Sequence, residues 1–94
     1  MIKSFGNAAT RRFAETGKVM FRNLDAQLAI DRLADLNAIA AMSEFGKLKS
    51  VGLHKLKGDR KAFWAVNIND PYRLIFRFVD GHAFDVEILD YHKG

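Results

Sequence analysis

Ninety-four residues with 49% hydrophobic side chains, eight Phe and one Trp suffice for one domain, residues 1–94, with its own core. The absence of cysteine excludes disulfide frameworks, thiolate zinc sites and cysteine nucleophiles. A net charge of +4 favours an anionic partner, and with no apolar signal core and no membrane-spanning stretch a cytoplasmic protein is expected.

Residues 2–5 alternate like a short strand. Asn7 or Thr10 starts a first helix through Arg12, Phe13 and Glu15, which Gly17 ends. Asn23 or Asp25 caps a longer helix running to about Met42. Its Leu24, Leu28, Leu33 and Leu36 fall roughly on one face and alanines fill much of the rest, the pattern of core packing. Gly46 closes this helical half. A basic stretch follows, in which Lys47, Lys49, Lys55, Lys57, Arg60 and Lys61 face only Asp59. It reads either as a solvated loop or as a contact for a polyanion.

The period then changes to two. Residues 62–69, 72–79 and 82–90 alternate apolar and polar side chains, divided by Asn69-Asp70-Pro71 and Asp80-Gly81-His82. A two-residue loop at Asp80-Gly81 sets Phe76 opposite Asp85 and mixes the faces. A three-residue loop over 80–82 pairs Phe78 with Phe84, Phe76 with Val86 and Leu74 with Ile88, with Arg77 opposite Asp85. One slip reverses every side chain, so the second register is expected. A loop over 69–71 adds Trp64, Val66 and Ile68 to the apolar face. The expected architecture is α+β: helices on the dry face of a small antiparallel sheet, with Asn67, Arg73, Arg77, Asp85, Glu87 and Tyr91 on a wet face.

The chemistry-bearing residues gather at the ends of these strands. Arg73 falls opposite Leu89, which makes Tyr91 its diagonal neighbour at roughly 7–8 Å between backbones. Both side chains can then converge on one phosphate, which a guanidinium grips in two-point fashion. Tyr91 and His92 form a possible acid–base pair for RNA cleavage by the ribose hydroxyl, a reaction that needs one group to take a proton and another to return it. Asp90 either orients His92 or caps the strand. Lys57, just before Gly58, can hold a phosphate or donate a proton, and His54 lies three residues earlier. Lys49, Lys55, Arg60 and Lys61 are the candidates for RNA-backbone contact. His54, His92 and Asp90 lack the cysteines or acidic cluster of an ordinary metal site, so no metal and no cofactor are expected.

The runs Leu56-Lys57-Gly58-Asp59-Arg60, Trp64-Ala65-Val66-Asn67-Ile68-Asn69, Tyr72-Arg73-Leu74-Ile75-Phe76-Arg77-Phe78 and Val86-Glu87-Ile88-Leu89-Asp90-Tyr91-His92 resemble the HigB-type toxins of the RelE/ParE superfamily of bacterial toxin–antitoxin systems. Residues 2–5, 11–13 and 17–18 fit the same family, so the resemblance covers nearly the whole chain. It implies two N-terminal helices against a curved antiparallel sheet. It further implies a metal-independent, ribosome-dependent endoribonuclease that cuts messenger RNA in the decoding site. Carried over by motif, Lys57 and Arg73 would stabilise the phosphate, and Asp90, Tyr91 and His92 would supply acid–base and orienting groups. His54 transfers less securely, because relatives often carry a Pro- and Gly-containing stretch where this chain has Ser50-Val51-Gly52-Leu53-His54. The implied partner is a helix-turn-helix antitoxin, through which alone operator DNA would be contacted. Two other readings stay open: a ParE-like gyrase inhibitor, and a non-catalytic ribosome- or RNA-binding co-repressor.

Overall fold

A computed structural model of the chain describes residues 1–46 and 52–91. Helix α1, Ala8–Thr16, starts at Asn7, whose side chain accepts the Thr10 N–H at 2.8 Å. Gly17 ends it, donating its N–H to the Phe13 carbonyl. Of the two starts read from the sequence, Asn7 is the cap and Thr10 is buried inside the helix.

Helix α2, Ala26–Ala38, is capped by Asp25, which accepts the Leu28 N–H at 3.1 Å. It stops four residues short of the expected Met42. Ile39 turns extended and drops into the core, and a separate helix α3, Met42–Gly46, follows. The break is stabilised by Glu44, whose Oε2 accepts the N–H groups of Ala40 and Ala41 at 2.6 and 2.8 Å. These donors would otherwise be orphaned at the start of a new helix.

Four antiparallel strands follow, hydrogen-bonded in chain order: β1 His54–Lys55, β2 Trp64–Asn67, β3 Tyr72–Val79 and β4 His82–Asp90. The sequence pattern had not shown β1, which is too short to display a period, and β2 is shorter than the expected 62–69. The β2–β3 register follows the expected 69–71 loop, with Trp64 against Phe76, Val66 against Leu74 and Asn67 against Arg73.

The β3–β4 register is correct at one end and wrong at the other. Leu74 pairs with Ile88 and Arg73 with Leu89, as expected. Near the turn, however, Asp80 and Gly81 form a two-residue loop, both at positive φ (51° and 81°), and Phe78 faces Ala83 while Arg77 faces Phe84. A bulge between the two registers reconciles them. Asp85 sits in it at φ 54°, with its N–H donated to Ser4 Oγ at 2.8 Å. Ala83 is therefore in the core, and Phe84, expected on the dry face, turns outward under the Arg77 guanidinium at 5.5 Å.

Residues 2–5 run parallel along the free edge of β4, with Ile2 bridging Ala83 and Phe5 bridging Val86. The helices cover the inner face, where Phe13, Leu33, Leu36 and Phe45 meet Val66, Leu74, Phe76 and Val86. Tyr72 joins them, its hydroxyl donating to the Arg22 carbonyl at 2.6 Å. The outer face is not uniformly wet. Leu56, Ala65 and Ile75 form a second buried cluster there, with Phe63 and Leu89 packed against it.

Candidate active site

The outer cluster determines where the basic loop sits. Leu56, buried against Ala65 and Ile75, is flanked by Lys55 and Lys57, so anchoring one apolar side chain presents the cations beside it. The Leu56 N–H donates to Phe63 O at 2.9 Å and the Phe63 N–H to Arg60 O at 2.8 Å, which ties the loop shut. Lys57 is extended, and Gly58, at φ 69°, redirects the chain into a short 3-10 turn, Gly58–Arg60. A side chain at Gly58 would be strained by that backbone, which fits the turn expected there.

The result is a cleft of about 290 Å³ lined by His54, Lys55, Leu56, Lys57, Arg60 and Tyr91. Residues from β1, the following turn and the end of β4 meet in it. His54 is exposed, with Nδ1 3.0 Å from the Gly52 carbonyl oxygen. The Lys55 ammonium lies 5.0 Å from the Trp64 ring centre, and the Arg60 guanidinium 6.0 Å from that of Phe63. Both aromatic contacts hold their cations without neutralising them.

Arg73 does not line the cleft wall but reaches it through Tyr91. Its guanidinium carbon lies 5.4 Å from the Tyr91 ring centre, and Nη1 donates to Asn67 Oδ1. Its Nε is buried and has no acceptor among the described residues. Among the described residues no carboxylate pairs with Arg73, whereas Arg77 donates Nε to Asp85 Oδ2 at 2.8 Å. The two arginines are thus separated, one spent on an ion pair and one not; the expected Arg77–Asp85 pair forms, but from the bulge, since the ladder sets Arg77 opposite Phe84 and not Asp85.

Other candidates fall elsewhere. Asp90 is exposed at the end of β4, opposite Tyr72 in the ladder, and does not line the cleft. Lys61 is exposed just beyond the 3-10 turn, outside the lining. His92 and Lys49 lie outside the described residues. Two polar residues were given no role at the level of sequence, Asn67 standing there only as one of the wet-face side chains. Asn67 receives Arg73, and Arg32, buried in α2, donates Nε to the Asn67 carbonyl at 2.8 Å. The signal for Asn67 was the β2–β3 register, which places a short polar side chain directly opposite Arg73.

A family model described as the RelE-like toxin of the type II toxin–antitoxin system HigB matches residues 3–92. The chain is also 36% identical over 95 residues to Endoribonuclease HigB of Proteus vulgaris, covering 98% of this chain and 100% of that relative. No helix among the described residues is long and apolar enough to cross a membrane. The family match spans both the helical half and the sheet that carries the cleft, and the chain belongs to the HigB-like family of RelE-like toxins.

Proposed function

We propose that this toxin is a ribosome-dependent endoribonuclease that cuts messenger RNA in the decoding site and so inhibits translation. In the reaction the ribose 2′-oxygen attacks the neighbouring phosphorus as the hydroxyl proton is removed. The bond to the 5′-oxygen breaks, and a proton is delivered to that leaving oxygen. Tyr91 and His92 carry the proton transfers, oriented by Asp90, and His54, which lines the same cleft as Tyr91, is a further candidate for them. Lys57 and Arg73 stabilise the charge that builds on the phosphate oxygens, the kind of contribution that fixed cations make best in a confined site. Lys49, Lys55, Arg60 and Lys61 hold the RNA backbone.

The observation that carries this reading is the Arg73 guanidinium, free of any carboxylate among the described residues and held 5.4 Å from the ring of Tyr91, which lines the same cleft as Lys57. Kinship with an endoribonuclease over nearly the whole chain supports it. The small cleft offers little surface to align single-stranded RNA unaided, and alignment supplied by the ribosome would make up that deficit. Membership of a type II family implies an antitoxin partner; a helix-turn-helix antitoxin that contacts operator DNA itself is the form we propose. Action on ribosomes places the protein in the cytoplasm.

The test is cleavage by purified protein. Messenger RNA on translating ribosomes should be cut and naked RNA barely touched. Arg73→Ala and His92→Ala should each lower the rate by about 10²- to 10⁴-fold with the fold intact. Lys55→Ala with Lys61→Ala should instead weaken ribosome binding in a salt-dependent way, with cleavage recovering at higher protein concentration. Efficient cleavage of naked RNA points to another ribonuclease class. An active His92→Ala variant, with activity lost from the lysine variants, makes the chain a basic binding module.

A further inference from the structure

Arg73 has long rotamer freedom, roughly 2 kcal/mol of side-chain entropy, and an arginine that serves a reaction must be held without being neutralised. Three contacts at Asn67 meet that need. Its Oδ1 accepts from Arg73 Nη1, directly across the β2–β3 pairing. Its backbone carbonyl accepts Arg32 Nε at 2.8 Å, and Arg32 is only 8% exposed, so this point of β2 is tied to the helical layer. The other side of its amide faces Gly52. A β-carbon there would lie 2.9 Å from Asn67 Cγ and closer still to Nδ2, and φ of 60° also disfavours a side chain. The Gly52 carbonyl in turn lies against His54 Nδ1.

We infer that Asn67 is a positioning residue: a neutral acceptor that fixes the Arg73 guanidinium against Tyr91 and, through Gly52, keeps the His54 strand in register with it. The neutrality matters. An amide oxygen directs the guanidinium as well as a carboxylate would, but leaves its full positive charge for a phosphate. The kinetic part of this inference rests on the proposed nuclease activity; the geometric part does not.

Two readouts test the two parts. The first is exchange of the buried Arg73 Nε–H with water, followed by ¹⁵N NMR and assigned by its loss in Arg73→Lys. It should be slow in the unaltered protein and at least about tenfold faster in Asn67→Ala, as expected for a side chain no longer held. The second is single-turnover cleavage on ribosomes. Asn67→Ala should lower the rate about 10- to 100-fold, the range a small misplacement produces, with ribosome affinity unchanged. In an Arg73→Ala background the same change should have no further effect, because both act through one group. Asn67→Asp keeps shape and acceptor, so exchange should stay slow while the rate falls through neutralisation of Arg73. That variant also decides the question if Asn67→Ala fails to fold. Unchanged exchange in Asn67→Ala, a normal rate in Asn67→Asp, or multiplicative effects in the double variant would overturn the inference. If the unaltered chain cuts no RNA, the functional reading fails, and exchange alone decides whether Asn67 holds Arg73.

Discussion

Thr10 is fully buried, and its hydroxyl oxygen accepts the Ile88 N–H at 2.9 Å. That N–H points away from β3, beyond the stretch where residues 1–6 pair with β4, so one side chain of α1 finishes what the N-terminal segment begins. Thr10→Val keeps the shape and removes the acceptor, leaving a buried donor unsatisfied. The expected loss is about 1–3 kcal/mol of stability, measured as a lower urea midpoint with an unchanged slope. None of this was legible, because the partner lies 78 residues away and nothing local distinguishes a hydroxyl that caps from one that reaches across the fold. The contrast between Arg73 and Arg77 was legible. Strand parity places Tyr91 near Arg73, whereas Asp85 reaches Arg77 from the bulge, with Phe84 opposite Arg77 in the ladder.

The β3–β4 hairpin shows how two sound local signals can conflict. Asp-Gly is the residue pair that a two-residue turn with two positive φ angles favours, while face parity demands one residue more. The chain satisfies both by placing the extra residue at Asp85 instead of in the loop. Counting pairs along two strands cannot reveal this, because a bulge changes parity midway. The same concentration on the dry face hid the outer cluster. Ile75 and Leu89 share the parity of Arg73, and their apolar character signalled a half-covered outer face. Among the helices, the α2–α3 break depends on Glu44, three residues beyond Ala41. Glu44→Ala should free the Ala40 and Ala41 donors and cost about 0.5–2 kcal/mol, as loss of a helix cap does. Hydrogen exchange should show the effect concentrated in α3, which carries Phe45 against Phe76.

At the scale of the molecule, an α+β class and a helix-covered inner face followed directly from periodicity, since 3.6 gave way to 2 near the middle of the chain. The candidate site at one end of the sheet was legible as a cluster of residue types, but its cleft was not, because that depends on Leu56 being anchored between two lysines. The sheet's edges are also managed. β1 offers only two residues at one side, and residues 1–6 occupy the other. An uncovered β4 would present unpaired N–H and C=O groups to any passing strand. Deleting residues 1–5 should therefore cause association, seen by light scattering as particle size rising with concentration. A deletion variant that stays monodisperse at high concentration would remove this role for the segment.

The same parallel pairing has a consequence in time. Ser4 Oγ meets the Asp85 N–H across 81 residues of chain, and synthesis adds about 5–20 residues per second. The N-terminal segment thus waits about 4–16 s before its partner exists. During that interval it is a short unpaired strand emerging from a ribosome, the very machine that the proposed activity attacks. Neither β4 nor Tyr91 has then been made, so the nascent chain has no closed sheet and no complete cleft. On the proposed activity the chain cannot attack its maker until the last strand is out, and chains stalled before residue 83 should remain protease-sensitive within residues 1–6.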